Sequence, residues 1–298
     1  MIYQTFLKFH LGDNLVHLHF LRKLALRYPE HQFVHAALRG YLGQLREMVK
    51  DVPSISLIPL EDIKGKAYNG WTRDGRLIWC LPYGGFGDGH SEPRNWSRYF
   101  VDWFTHLAGE MGLESPILKQ EDMLFDCPAI LEEPPQAKNW PCDVLVINAA
   151  PGSGQLKAYK QYNKPSSLFN RLFRGGHQIQ PNQKDAFLAP VIDRLRMAGH
   201  KVVTTHPYDS AIRDAELPPC TSLSGISVIG IGHLSLRCKY IVMISTGPTF
   251  PTMNIWNVES VKLRVILHDE DRMNVPGRMV YASTPEETTK ILEQEGII

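Results

Sequence analysis

Phe6-Leu7-Lys8-Phe9-His10-Leu11-Gly12-Asp13 and Tyr240-Ile241-Val242-Met243-Ile244-Ser245-Thr246-Gly247-Pro248 carry the same local pattern near opposite ends of the chain. Each is an apolar run that stops at a glycine beside polar residues, as a buried strand does when it hands over to a helix. In an α/β protein that junction lies at the carboxyl edge of the sheet, where ligands bind. The first junction offers the carboxylate of Asp13. The second offers backbone N–H groups and the hydroxyls of Ser245 and Thr246, a chemistry suited to phosphate. A base on one wall and an anion nest on the other suit group transfer from a phosphorylated donor.

Outward from the first junction, strands and helices alternate. Residues 3–9 read as a short buried strand, with Gly12 breaking it and Asp13 or Asn14 available to cap the next helix. Leu15, Leu18, Leu21, Leu24 and Ala25 recur at helical spacing up to Tyr28-Pro29. A strand over 32–36, a helix over 41–49 and a strand over 55–60 complete a βαβ signature of a parallel sheet. Residues 65–89 are less regular. They hold Trp71, a strand candidate at 77–81 and the glycines Gly84, Gly85, Gly87 and Gly89, which read as a surface loop and candidate lid. A helix over 95–111, with Tyr99, Trp103, Leu107 and Met111 on one stripe, stops at Gly112.

Glu132-Glu133-Pro134-Pro135 through Pro141 is the clearest linker, and it divides the chain into residues 1–133 and 134–298. Beyond it, the expected elements are a central strand over 143–149, a helix over 185–197 and a strand over 201–205. Residues 223–238 should hold a helix broken by glycines. Strands over 241–244 and 263–267 and a closing helix over 285–295 come after it. The expected architecture is α/β, with two Rossmann-like parallel-sheet domains facing an interdomain cleft.

The chain has 298 residues, enough for two cores, with 43% hydrophobic and 21% charged residues, the balance of an ordinary globule. A formal net charge of +1 gives no support for a nucleic-acid partner. Cys80, Cys127, Cys142, Cys220 and Cys238 include no C-x-x-C pair, which points to reduced thiols in a cytoplasmic-type compartment and away from structural zinc. No secretory signal is visible, and no apolar stretch approaches the ~20 residues needed to span a bilayer.

Other constellations carry weaker chemistry. Ala150-Pro151-Gly152-Ser153-Gly154 follows the strand at 143–149, and Lys157, Lys160 and Lys164 after it offer cations to a phosphate. The run matches neither G-x-G-x-x-G nor a Walker A sequence, and a solvated basic helix face explains it equally well. His10, Asp13 and His17 invite a metal reading but lack a third ligand of defined geometry, so a polar cleft wall is the better account. Asp269-Glu270-Asp271, after a strand, admits a metal-dependent transferase. No G-x-S-x-G, H-E-x-x-H or catalytic Cys–His spacing is present.

Taken together, the junctions resemble the heptosyltransferase-like glycosyltransferases of the GT-B fold. The N-terminal match is His10-Leu11-Gly12-Asp13-Asn14-Leu15-Val16-His17, then Leu21-Arg22-Lys23-Leu24 and Arg27-Tyr28-Pro29. The C-terminal match runs from Ser222-Leu223 through Cys238-Lys239-Tyr240 to Ser245-Thr246-Gly247-Pro248. The chain departs from the family pattern on the donor side. Thr249-Phe250 stand where a histidine is expected, and Met253-Asn254-Ile255-Trp256 replace a small-residue helix.

The resemblance implies inverting, metal-independent transfer of a sugar from a nucleotide-diphospho-sugar to a hydroxyl of a glycan, lipid sugar or other acceptor, with no cofactor. It places the catalytic base at Asp13 beside Gly12. The diphosphate falls at Thr246 and Gly247 with Ser245 and Pro248 adjoining, a neutralising cation at Lys157 or Lys160 near Ser153 and Gly154, and the nucleotide base around His206 and Ser222 to Ser224. The alternative is a catalytically silent nucleotide-sugar or phosphate-binding protein of the same fold.

Overall fold

The computed structural model describes residues 1–7, 10–60, 78–79, 96–148, 187–212, 216–268 and 276–298. Its strands form two wholly parallel sheets. The first contains β1 (Ile2–Leu7), β2 (Gln32–Ala37), β3 (Ile55–Pro59) and β4 (Ile78–Trp79), in the order β3-β2-β1-β4. The second contains β5 (Val144–Ile147), β6 (Val202–Thr204), β7 (Tyr240–Ile244), β8 (Leu263–Leu267) and β9 (Met279–Ala282), in the order β6-β5-β7-β8-β9. The helices are α1 (Leu11–Arg27), α2 (Leu42–Val49), α3 (Trp96–Glu110), α4 (Ala189–Met197), α5 (Val228–Leu234) and α6 (Pro285–Gln294).

Strand chemistry explains the layers. Every residue of β5 and of β8 is buried, because helices and connections cover both faces of the second sheet. In the first half, Leu15, Leu18, Leu21 and Leu24 of α1 are fully buried against Tyr3, Phe6, Leu7 and Phe33, and α3 adds Phe100, Trp103, Phe104 and Leu107. Each such leucine contributes about 1.5–3 kcal/mol by leaving water. Val228, Ile229 and Met253 belong to the same core, so the second half reaches into the first.

The expected elements are present with several corrections. The helix after β1 begins at Leu11, and its N-cap is His10 rather than Asp13 or Asn14. Gly12 and Asp13 lie inside the first turn, where Asp13 gains from the helix dipole. Gly225 stands at positive φ in the turn before α5, and Gly230 and Gly232 lie within α5 without breaking it. A Cβ on Gly230 would lie 2.9 Å from Pro134 Cγ, and one on Gly232 would lie 2.9 Å from the Pro251 carbonyl, so both permit close packing of α5. The stretch after the second junction is a 3-10 helix over Gly247–Thr252, with Pro248 and Pro251 inside it, and not the α-helix that a strand-to-helix handover implies. β9 was not anticipated. The proline-rich stretch at 132–141 is a packed connection: Pro135–Ala137 form a 3-10 turn, Ala137 is buried, and Arg237 pairs with Glu133.

Cys127, Cys142, Cys220 and Cys238 are free thiols. Among the described residues no helix is long and apolar enough to cross a membrane. Residues 65–77 and 80–89 of the candidate lid lie outside the described residues.

Candidate active site at the facing sheet edges

Both strand orders contain a switch point, where successive crossovers leave in opposite directions and open a crevice at the carboxyl edge. In the first sheet it falls between β1 and β4, in the second between β5 and β7. The connection after β1 leads to Gly12-Asp13, and β7 runs directly into Ser245-Thr246-Gly247. Chain topology therefore puts both sequence junctions where a doubly wound sheet binds ligands.

The two edges touch. A Cβ on Gly12 would lie 3.0 Å from Gly247 Cα and 3.0 Å from Phe250 Cε2; one on Gly247 would lie 3.0 Å from the Gly12 N. Backbone meets backbone here because neither residue has a side chain, and the Phe250 ring fills the flank. Elsewhere the halves are joined by Phe125, whose N–H donates to the Met253 carbonyl (2.9 Å) and whose carbonyl accepts from the Ile255 N–H (3.1 Å). Ser227, which caps α5, also donates to the Glu47 carboxylate.

Asp13 is half-buried in the first turn of α1, beside the contact with Gly247. Beneath it lies a buried polar cluster. Asn14 Nδ2 donates to the His10 carbonyl (2.9 Å), and Asn14 Oδ1 lies 3.0 Å from His35 Nε2. Thr5 Oγ1 lies 2.8 Å from His35 Nδ1 and 3.2 Å from His17 Nε2. Burial pushes the His35 pKa down to about 3. Burial, then the neighbouring His35, holds His17 well below the usual histidine range. His17 thus belongs to the core and not to a cleft wall, while His10 is exposed. Among the described residues no group of three His, Cys, Asp or Glu side chains is placed to hold a metal.

The second junction is a narrower donor set than its sequence implied. The Thr249 hydroxyl accepts from the Thr246 N–H (3.2 Å) and donates to the Ile244 carbonyl (3.0 Å). The Ser245 N–H donates to Leu267 and the Thr249 N–H to the Thr246 carbonyl, and Pro248 has no N–H. The Gly247 N–H and the Ser245 and Thr246 hydroxyls are the donors left without a hydrogen bond among the described residues. The Thr246 and Thr249 side chains face each other's backbone N–H as a capping box, with the buried Thr246 oxygen falling short of a full hydrogen bond. Its proton has no acceptor among the described residues.

Sequence reasoning missed Asn148, the residue after β5. Its Oδ1 accepts from the Thr205 N–H (3.1 Å), the Thr205 hydroxyl (3.1 Å) and the His206 N–H (2.8 Å), while its Nδ2 donates to the His206 carbonyl (2.9 Å). The signal available was a lone polar residue closing an apolar strand. Through this hub His206 is held at the carboxyl end of β6. Exposed Ser222 lies close by, its N–H on the Thr205 carbonyl (3.1 Å). Ser153, Gly154, Lys157, Lys160 and the run Asp269-Glu270-Asp271 lie outside the described residues. A separate cavity of about 860 Å³, lined by Trp140, Arg196, His200, Lys201, Leu217 and Leu223, opens beside β6 and contains neither Asp13 nor Thr246.

Neither a protein-family model nor a curated protein sequence matches the chain. Solved structures do. The chain is similar to the E. coli heptosyltransferase WaaC with ADP (11% identity, 99% of this chain and 98% of that one, TM-score 0.54). It is also similar to WaaC with ADP-2-deoxy-2-fluoro heptose (10% identity, 99% and 100%, TM-score 0.53). A third is the E. coli ADP-heptose lps heptosyltransferase II (14% identity, 99% and 100%, TM-score 0.50). At such identities the likeness is one of fold, and it extends over nearly the whole of each chain. The architecture of this protein is two parallel-sheet α/β units, consistent with a GT-B-like fold.

Proposed function

We propose that this protein is an inverting, metal-independent glycosyltransferase that moves a sugar from a nucleotide-diphospho-sugar to an acceptor hydroxyl, with Asp13 as the general base. The observation that carries this reading is the contact of Gly12 with Gly247, which puts the first turn of α1 and the Thr246-Gly247 turn on one shared edge.

In this mechanism the acceptor oxygen attacks the anomeric carbon and loses its proton to the Asp13 carboxylate. The bond from that carbon to the diphosphate oxygen breaks, and its electron pair leaves with the nucleoside diphosphate. The Gly247 N–H and the Ser245 and Thr246 hydroxyls receive the growing negative charge, and the resemblance assigns a neutralising cation to Lys157 or Lys160. A single well-placed donor of this kind contributes about 3–4 kcal/mol to the transition state. The nucleotide base takes the region of His206 and Ser222, at the end of β6.

One feature of the described structure supports this assignment over a silent binding protein: the N-cap of α1 is His10, so helix capping does not account for Asp13. The test begins with a thermal-shift screen of UDP-, GDP-, ADP- and CMP-sugars and continues with transfer by Asp13→Asn. Donor binding retained with turnover reduced by about 10²–10⁴-fold is the expected result. Unchanged turnover removes Asp13 as the base; loss of activity in EDTA moves the chemistry to a metal-dependent site at Asp269 and Asp271.

A further inference from the structure

We infer that Asn14 and His35 are positioning residues for Asp13, acting through a buried hydrogen-bond chain whose proton directions are set along its whole length. The inference rests on Asp13 being the base.

The directions come from what each group can do. The His10 carbonyl only accepts, so the Asn14 atom 2.9 Å from it is the amide nitrogen. Asn14 Oδ1 then faces His35 Nε2 at 3.0 Å and only accepts, so Nε2 carries the proton. Burial keeps His35 neutral, which leaves Nδ1 bare to accept the Thr5 hydroxyl proton at 2.8 Å. With its hydrogen used, Thr5 Oγ1 accepts from His17 Nε2–H at 3.2 Å. His17 Nδ1 ends the chain as a buried acceptor without a partner among the described residues.

The chain fastens the first turn of α1 twice. The Asn14 backbone N–H makes the first helical bond to the His10 carbonyl, and the Asn14 side chain adds a second donor to that same oxygen. His35 ties that clamp to β2, and Thr5 ties it to β1. Asp13 sits within the clamped turn, so its place relative to both strands is fixed. All four members are at most 1% exposed and uncharged, so the clamp places no cation beneath the base. A core built for packing alone would use apolar residues here and avoid stranding His17 Nδ1.

Two measurements test this on the full chain. In long-range ¹H–¹⁵N spectra of histidine-labelled protein at neutral pH, His17 and His35 are both expected as Nε2–H tautomers; an Nδ1–H tautomer or imidazolium at His35 overturns the chain. The second measures nucleoside diphosphate release from ADP-, GDP- and UDP-sugars by the wild type, Asn14→Ala, His35→Leu and His35→Gln. Asn14→Ala and His35→Leu should lose kcat by about 10-fold or more at near-constant KM, as for a slightly misplaced catalytic group. His35→Gln, whose amide nitrogen still donates to Asn14, should recover most of it. If His35→Leu does not fold, Asn14→Ser and His35→Gln carry the comparison. Folded Asn14→Ala with undiminished kcat, beside an inactive Asp13→Asn, removes the positioning role alone. Asp13→Asn at full rate, or no release from any of the sugars, removes the reading beneath it.

Discussion

Acid should weaken this fold well before its carboxylates titrate, because histidines are buried in the neutral state. His35 is fully buried and stays neutral to about pH 3, and burial holds His19 to about 4 despite the neighbouring Asp126 carboxylate. In the unfolded chain both titrate near the ordinary value of about 6.5. Below that value the unfolded state takes up protons that the native state refuses, so stability falls as pH falls. At about pH 5 each histidine lies about 1.5 units below its unfolded pKa, which at about 1.36 kcal/mol per unit is about 2 kcal/mol apiece. The pair therefore removes about 4 kcal/mol from a total of order 5–15. Asp126 acts in a lower window. Its pKa is depressed by His19, Lys23 and Arg22 against the opposing effect of burial, so its contribution is lost only below about pH 4. The assay is urea unfolding by circular dichroism at about pH 7.5, 6 and 5, on the wild type and His35→Gln. The variant should show about 2 kcal/mol less acid sensitivity over that range. An unfolding free energy flat from about pH 7.5 to 5, or a variant with the full acid slope, would refute the claim that His35 is held neutral.

The same contacts lead to three further outcomes. Gly12→Ala should destabilise by about 1–2 kcal/mol, overpacking against Gly247 and Phe250 outweighing alanine's helix propensity, whereas Gly109→Ala in α3, with nothing near its Cβ, should stabilise by up to about 1 kcal/mol; chemical unfolding of the two variants decides between them. Thr249→Val removes the acceptor of the Thr246 N–H and a donor to the Ile244 carbonyl and should lower stability by about 1–3 kcal/mol, read from urea midpoints. Burial raises the Cys127 thiol to about 12, so mass spectrometry should find it unmodified by iodoacetamide in the native state and alkylated once the chain is unfolded.

How far the sequence could be read depended on the range of the interaction being read. Period and punctuation are local, and they located nearly every described strand and helix, because apolar spacing reports which face of a single element is buried. β8 coincides with the run 263–267, and α1 ends where Tyr28-Pro29 predicted. Local reading failed where a distant partner set the outcome. Gly230 and Gly232 look like helix breakers until Pro134 and Pro251 are seen pressed against them. The Ser245-Thr246-Gly247-Pro248 turn looks rich in free N–H groups until Thr249 and Leu267 take them. His17, read as a cleft residue, turns inward to Thr5.

The amino-acid sequence by itself determined the alternating α/β plan, the two polar junctions at strand ends and the candidacy of Asp13 and Thr246, since all of these depend on neighbours within a few residues. Only the tertiary structure decided that Gly12 and Gly247, separated by most of the chain, lie in contact. The same is true of the bonding of Thr5, Asn14, His17 and His35 from β1, α1 and β2 into one buried chain. Strand order and close packing of backbones are properties of the whole chain, and no local window of residues contains them.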